Sequence, residues 1–379
     1  MNLLEKLNAN IIKLLSILRL NFSETIKTKN IKNILVICQI GIGNCILYMP
    51  VIKNLQTKFR ESNITIIVNN QMIYDIINHN FKNVEILIAD LRKFNFWKKV
   101  KFFLKMKKKN FDLFVCNFLG AKKENIQLAL FCKIPYRVGH ITFDVDGTGK
   151  FDFFFNFPIS IKDKHELDFN LDLLQPLGFD TIYRNTFFNT DDESITNATN
   201  FVNSVNKKYK VIFQVYCSNG VMKNWPGVQY VELARKIKDK YDAEIILVGS
   251  QEEIPKIEKI FSNCRFEYKN IAGKFSLFEV AVIIKLADIY LGNDSGLGHI
   301  SATLEQNTIS IIGMTDKNRV RPIGKNVFVI HRNLECSPCD TFGEDFKMKN
   351  CSHKNCLKLI TVDEVFGKVK SVLDRKENR

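Results

Sequence analysis

Six residues, Asn33 to Cys38, read Asn-Ile-Leu-Val-Ile-Cys: apolar at every position after the first, without alternation. A short continuous run of β-branched and aliphatic residues predicts a strand buried on both faces. Similar runs recur at 64–68, 84–88, 111–115 and 136–138, and the segments 46–59 and 72–79 between them carry helical spacing. Strands alternating with helices predict a parallel sheet covered on both sides. From 180 to 205 the chain turns polar, dominated by Asn, Thr, Asp and Ser, which predicts a linker over 181–205. A second series follows, with a strand at 210–215, a helix at 228–240, a strand at 243–248 and further pairs as far as Gly313 and 327–331. The expected architecture is α/β, two Rossmann-like domains facing each other across a cleft, at 31–180 and 206–360. Leu3, Leu4, Leu7, Ile11, Leu14, Leu15, Leu18 and Phe22 predict an amphipathic helix within 1–30. Val362, Val365, Val369 and Val372 predict a closing helix over 361–379.

Charge narrows the partners. A net charge of +15 implies attraction to something anionic: nucleic acid, acidic lipid or a phosphorylated substrate. Arg92 to Lys109 holds nine basic residues and no acidic one, interleaved with Phe94, Phe96, Trp97, Phe102 and Phe103, and reads as one helix. It is either a solvated basic face or an attachment to an anionic membrane surface. Nucleic acid is set aside because no recognised reader motif accompanies the charge. The N-terminal helix has the same two readings, packed on the protein's own body or lying on an anionic membrane. No apolar stretch is long enough to span a bilayer, and the N-terminus lacks the short apolar core of a signal peptide. Ten cysteines in a chain of this size are expected to be reduced thiols, and the expected location is cytoplasmic.

The segment richest in candidate chemistry is Gly292-Asn293-Asp294-Ser295-Gly296-Leu297-Gly298-His299, between the apolar stretches 280–291 and 308–313. A strand ending in small, polar residues that open a helix offers free N–H groups to a phosphate, and Asp294, Ser295 and His299 add side chains for a sugar. Capping of the helix is the plainer explanation of the same residues. Four further segments fall where a cleft should be. Cys217 to Pro226 carries Lys223 as a point charge for a diphosphate, with Ser218 and Asn219 beside it. Gly249 to Glu253 ends a strand with two carboxylates, Glu252 and Glu253, either of which could accept ribose hydroxyls or merely complement a helix dipole. Ser276 and Glu279 form a capping box after Gly273, which could approach a ligand. Lys164-His165-Glu166 suggests no chemistry by itself.

Taken together, these segments resemble glycosyltransferase family 9, the ADP-heptose:lipopolysaccharide heptosyltransferases, over about 33–369. The markers are Ile34-Leu-Val-Ile with Gly41-Ile-Gly-Asn44 and Pro50, Lys164-His165-Glu166, Lys223-Asn-Trp225-Pro226, Ala272-Gly273-Lys-Phe-Ser-Leu, and Asn293-Asp294-Ser295-Gly296 with His299. The resemblance implies a GT-B fold, with the donor nucleotide sugar held by the second domain and the acceptor by the first. It implies an inverting, metal-independent transfer from a nucleotide-diphospho-sugar, ADP-linked in family precedent, to lipopolysaccharide or a related lipid-linked glycan at the inner face of the cell membrane. Ser218, Asn219, Lys223, Ser295 and Gly296 match the family's phosphate positions, Glu252 or Glu253 its ribose carboxylate, and Asp294 and His299 its sugar-facing motif. The loop Gly41-Ile42-Gly43-Asn44 lies on the acceptor side.

One residue departs from the pattern. The family carries Asp after Gly-x-Gly as the proposed general base, and here the position is Asn44. A neutral amide can orient a hydroxyl but cannot take its proton. Three outcomes stay open: another carboxylate serves, with Asp294 a candidate; the acceptor differs; or the chain is a non-catalytic binder of nucleotide sugar or glycan. A dinucleotide oxidoreductase is disfavoured because position 46 is Ile, which breaks Gly-x-Gly-x-x-Gly. Cys336, Cys339, Cys351 and Cys356, with His353 between, have spacing compatible with a structural zinc site, with free thiols or with a disulfide. No cofactor is required by the implied reaction.

Overall fold

The structure is a computed structural model that describes residues 26–141, 154–161, 163–217, 222–339, 351 and 353–377. The apolar positions of the expected N-terminal helix, and Ser218 and Asn219, lie outside these residues. The chain divides into two compact units between Thr186 and Phe187.

The first unit contains β1 (Asn33–Cys38), α1 (Ile42–Lys58), β2 (Asn63–Val68), α2 (Gln71–Asn80), β3 (Val84–Ile88), α3 (Phe96–Lys107), β4 (Leu113–Cys116), α4 (Lys123–Phe131), β5 (Tyr136–Ile141), β6 (Phe157–Ser160) and α5 (Glu166–Asp172). Its six strands are parallel in the order β3-β2-β1-β4-β5-β6. β1 sits centrally and is buried from Ile34 to Cys38, which is why its sequence shows no alternation. The expected turn at 41–44 is only partly a turn. Gly41 is the extended N-cap, and Ile42, Gly43 and Asn44 already form the first turn of α1. The basic segment is likewise broken, into a 3-10 turn at Leu91–Lys93 capped by Asp90 and the helix α3 capped by Asn95.

The second unit contains α6 (Asp192–Asn203), β7 (Tyr209–Gln214), α7 (Gly227–Lys240), β8 (Ala243–Leu247), α8 (Ile254–Phe261), β9 (Lys269–Asn270), α9 (Leu277–Leu286), β10 (Ile289–Asn293), α10 (Gly296–Thr303), β11 (Thr308–Ile312), α11 (Lys317–Val320), β12 (Val327–His331), α12 (Asn355–Lys358) and α13 (Val362–Glu377). Its strands are parallel in the order β12-β11-β10-β7-β8-β9. Counted from the first strand of each sheet, both orders read 3-2-1-4-5-6, the doubly wound Rossmann order. The architecture is thus a two-domain α/β fold.

Two expectations change here. Much of the polar stretch 181–205 is the helix α6, capped by Asp191, with Ala198 and Val202 buried against α9. Its polar residues cover the outer face, and a narrow apolar stripe was hidden among them. The apolar stretch 280–291 is not one strand: it is the end of α9, a break near Ala287, and β10. Both pieces are buried, so hydrophobicity alone could not divide them. The closing helix α13 packs on α7 within the second unit's core, through Val365, Val369 and Val372. Among the described residues no helix is long and apolar enough to cross a membrane.

Candidate functional site

In an open parallel sheet of this order, ligands bind outside the carboxyl ends of the strands, where the strand order reverses. In the second unit the reversal lies between β7 and β10, and both flanking loops carry the predicted residues. Asn293 ends β10 fully buried and ties the two loops together. Its Oδ1 accepts from the Trp225 backbone N–H at 2.8 Å and from the Tyr230 hydroxyl at 3.1 Å. Its Nδ2 donates to Gln214 O and Asn224 Oδ1. Asn224 in turn closes its own loop through both Cys217 N and Cys217 O.

This frame brings Lys223 against Asp294. Lys223 Nζ lies 2.8 Å from Asp294 Oδ2, which also accepts from Thr315 Oγ1 at 2.8 Å. Burial works to raise the Asp294 pKa, but the Lys223 ammonium, the hydrogen bonds from Lys223 and Thr315, and the nearby His299 outweigh it and hold the carboxyl below its ordinary value. Asp294 is therefore an ionised anchor that aims a partly exposed cation, and it is poorly suited to taking a proton. Ser295 also differs from expectation. Its hydroxyl turns inward to Gln214 Oε1, which also accepts from Tyr290 at 2.6 Å. Ser295 thus shapes the turn, while the partly exposed residues Gly296 and Leu297 open α10. His299 is buried one turn further on.

The two acids after β8 have different roles. Glu253 is buried, and its Oε2 accepts from Ser250 N at 2.9 Å in a capping box. Glu252 is exposed, its pKa lowered by its own backbone N–H and the Ser250 hydroxyl, and of the two it is the carboxylate left open to solvent. Gly273 N–H donates to Gly249 O at 3.0 Å, which brings the loop after β9 alongside this one. Gly273 has φ +70°, a conformation that favours glycine, and a Cβ there would displace the Gln251 side chain, whose Oε1 would stand 2.2 Å away. Ser276 and Glu279 form the predicted capping box.

In the first unit the reversal lies between β1 and β4, and the loop after β1 leads into Asn44. Gln39 anchors this loop, donating to Ala89 O and accepting from Asn125 Nδ2, which also reaches Gly120 O. Asn44 is partly exposed, and its Nδ2 donates to Oε1 of Glu166, 122 positions away, at 2.5 Å. Glu166 is only 1% exposed and opens α5 behind its N-cap, His165. The residues Lys164-His165-Glu166 therefore place a carboxylate against the position where the resemblance had lost one. An added Cβ at Gly41 would approach nothing nearer than Asn44 Oδ1 at 3.8 Å, so the space over Gly41 is open. His140, which the sequence did not single out, ties α5 to the sheet. Its Nδ1 accepts from Phe118 N–H, its Nε2–H donates to Phe169 O, and burial lowers its pKa to about 4.

The C-terminal cysteines are less closely assembled. Cys356 is buried, its pKa raised to about 11 by burial and then by the nearby thiols Cys339, Cys351 and Cys336. Cys351 Sγ lies 4.0 Å from His353 Nε2. No group of three metal-ligating side chains is assembled among the described residues.

Two parallel sheets in the doubly wound order, the second with a lysine paired to a buried carboxylate at its switch point, define a two-domain α/β protein of the Rossmann kind. More particularly, the chain belongs to glycosyltransferase family 9 (heptosyltransferase), whose sequence model matches residues 101–349. Lipooligosaccharide heptosyltransferase 2 of Campylobacter jejuni is 27% identical over 161 residues, 41% of this chain and 48% of that protein. The chain thus spans about half the length of the curated relatives it matches. The fold is similar to that of ADP-heptose lipopolysaccharide heptosyltransferase II of E. coli, with a TM-score of 0.69 at 17% identity over 91% of this chain and 99% of that one. It is also similar to a second E. coli heptosyltransferase, solved with ADP, with a TM-score of 0.60 at 18% identity over 89% and 99% of the two chains.

Proposed function

We propose that the chain transfers a sugar from a nucleotide-diphospho-sugar to a hydroxyl of lipopolysaccharide or a related lipid-linked glycan, with inversion and without a metal. The observation that carries the reading is the Lys223–Asp294 pair at the switch point of the second sheet. In the reaction the acceptor oxygen bonds to the anomeric carbon as the bond to the diphosphate breaks, and the electron pair leaves on the diphosphate. Lys223 and the amides of Gly296 and Leu297 stabilise that growing charge more than they stabilise the bound donor, which is what lowers the barrier. Glu252 holds the ribose, and His299 and the buried Asp294 shape the sugar side. An acceptor of this class places the chain in the cytoplasm, at the inner face of the cell membrane.

For the acceptor proton, Glu166 supplies the carboxylate and Asn44 the steering. With Nδ2 committed to Glu166, Asn44 turns Oδ1 toward the open space over Gly41, where it can accept a hydrogen bond from an incoming hydroxyl. The carboxylate beside Asn44 weakens the motive for a non-catalytic reading, which rested on there being none.

Thermal unfolding in ADP, UDP, GDP and CDP tests the donor site, ADP first because the E. coli neighbour was solved with it. A nucleotide at a hundred times its dissociation constant adds about 2.7 kcal/mol of stability. Lys223→Ala removes a charge-assisted contact of about 1.5–3 kcal/mol and should weaken the preferred nucleotide roughly ten- to a hundredfold. Indifference to all four nucleotides, or unchanged affinity in the variant, would overturn the assignment.

A further inference from the structure

We propose that the outer face of α3 is a docking surface for an anionic lipid bilayer. The inner face of this helix is accounted for: Met106 is buried, Phe102 meets Phe94 at 5.8 Å between ring centroids, and Phe103 meets Phe131 at 5.6 Å. On the other side, Trp97, Lys101, Leu104, Lys105 and Lys108 recur at three- and four-residue spacing and share one face. Trp97 is 77% exposed, the adjacent Phe96 69% and Leu104 49%. The first two pack edge-on against each other and otherwise face water.

Charge identifies the occupant. Lys99 reaches Glu124 at 3.9 Å and Lys109 reaches Glu85 at 2.6 Å, both toward the body of the unit. Among the described residues, Lys98, Lys101, Lys105 and Lys108 have no carboxylate at ion-pair distance. A merely solvated basic helix has no use for a tryptophan and a phenylalanine held in water. Aromatic rings bounded by lysines suit a membrane interface, the rings at headgroup depth and the ammonium groups on lipid phosphates. A protein partner would want a larger apolar centre, and a nucleic acid would need no exposed leucine.

The position agrees. Gln39, in the loop that leads to Asn44, donates to the carbonyl of Ala89 just past β3, so the segment entering α3 lies at the carboxyl end of the sheet, the same end as the loop after β1. A glycan acceptor anchored in lipid would arrive at that end. This last point rests on the proposed reaction; the docking does not.

The test uses the whole protein and vesicles of phosphatidylcholine, alone or mixed with phosphatidylglycerol. The chain has two tryptophans. Trp225 is 1% exposed and gives a constant background, so a change in emission reports Trp97. Mixed vesicles should shift Trp97 emission to the blue and allow bromine-labelled acyl chains to quench it, while phosphatidylcholine alone should do neither. Each lysine contributes about fivefold in partitioning near an anionic surface, so Lys101→Gln with Lys105→Gln should weaken binding about 25-fold. Rising salt should weaken the parent protein similarly. Four results would each overturn the proposal: equal binding by the double variant; vesicle binding that leaves Trp97 emission unchanged; an emission shift that follows protein concentration without lipid; and a shift with single-stranded nucleic acid but not with vesicles. Docking retained in a protein without turnover would count against the reaction and not against this surface.

Discussion

Replacing Asn44 by Asp restores the family's residue, yet beside Glu166 it should harm the protein. The substitution sets a second carboxylate where Asn44 Nδ2 now stands, 2.5 Å from Glu166 Oε1. A hydrogen bond to a charged group, about 1.5–3 kcal/mol, is lost. Two charges at about 4 Å and an effective dielectric near 20 repel by about 4 kcal/mol, so the pair escapes by keeping one proton between them. The pair's folded-state pKa then lies above the unfolded value of about 3.9 for Asp. Below that value both states are protonated and the repulsion has no effect. As pH rises, the unfolded chain releases a proton that the folded pair retains, and stability falls by about 1.36 kcal/mol per pH unit until the pair itself ionises. The ceiling at pH 7 is therefore about 4 kcal/mol, and close to none of this electrostatic part remains near pH 4. Urea unfolding followed by circular dichroism from pH 4 to 8, on Asn44→Asp, Glu166→Gln and the double variant, measures it. The double variant again has one carboxylate and one amide, with their places exchanged, and should recover most of the loss. If Asn44→Asp is equally stable at both pH extremes relative to the parent, or if the two substitutions add, the pairing of these residues is wrong. Turnover follows the same logic: Glu166→Gln should fold normally but lose activity, and the exchanged pair should regain part of it.

His140 predicts a separate pH effect. Its folded pKa near 4 lies below the unfolded 6.5, so the unfolded state gains a proton first as pH falls. Stability should decline by about 3 kcal/mol between pH 6.5 and 4 and then level off, a decline that His140→Gln should remove while keeping one donor and one acceptor. A parent protein with flat stability over that range would refute the buried neutral imidazole. For the C-terminal cysteines, a structural zinc would appear as stoichiometric metal in the purified protein, with a chelator lowering the melting temperature and Cys336→Ser abolishing both effects. Protein purified in added zinc that binds none, with thiols that titrate freely, would assign them to packing instead.

Local patterns along the chain carried most of the architecture. The unbroken run 33–38 is buried on both faces because a central parallel strand has helices on either side, and that requirement is written in consecutive residues. The capping box of Ser276 and Glu279 was legible for the same reason, since its partners are three positions apart. Legibility failed where one pattern overlay another. The apolar residues 280–291 serve a helix and then a strand, and α6 shows solvent so many polar side chains that its buried stripe, Ala198 and Val202, was lost among them.

The candidate site divides along the same line. Its residue types were present in the sequence: Lys223, Asp294, Glu252, Gly273, His299 and Asn44 lie just past strand ends, in the loops or in the first helical turn that follows, where short-range turn chemistry marks them. What each one does depends on partners far away in sequence. Lys223 is aimed by Asp294, 71 positions on, and Ser295 is drawn inward by Gln214, 81 positions back. Glu253 and Glu252 look alike in sequence, but one is spent on a cap and the other faces solvent. Glu166 gains meaning only against Asn44, 122 positions away. Sequence periodicity and turn residues report the conformation of neighbouring residues, so they determine the strands, the helices and the loops between them. Which loop residues meet, and which carboxylate is ionised, buried or open, is decided when parallel sheets bring distant strand ends to one edge.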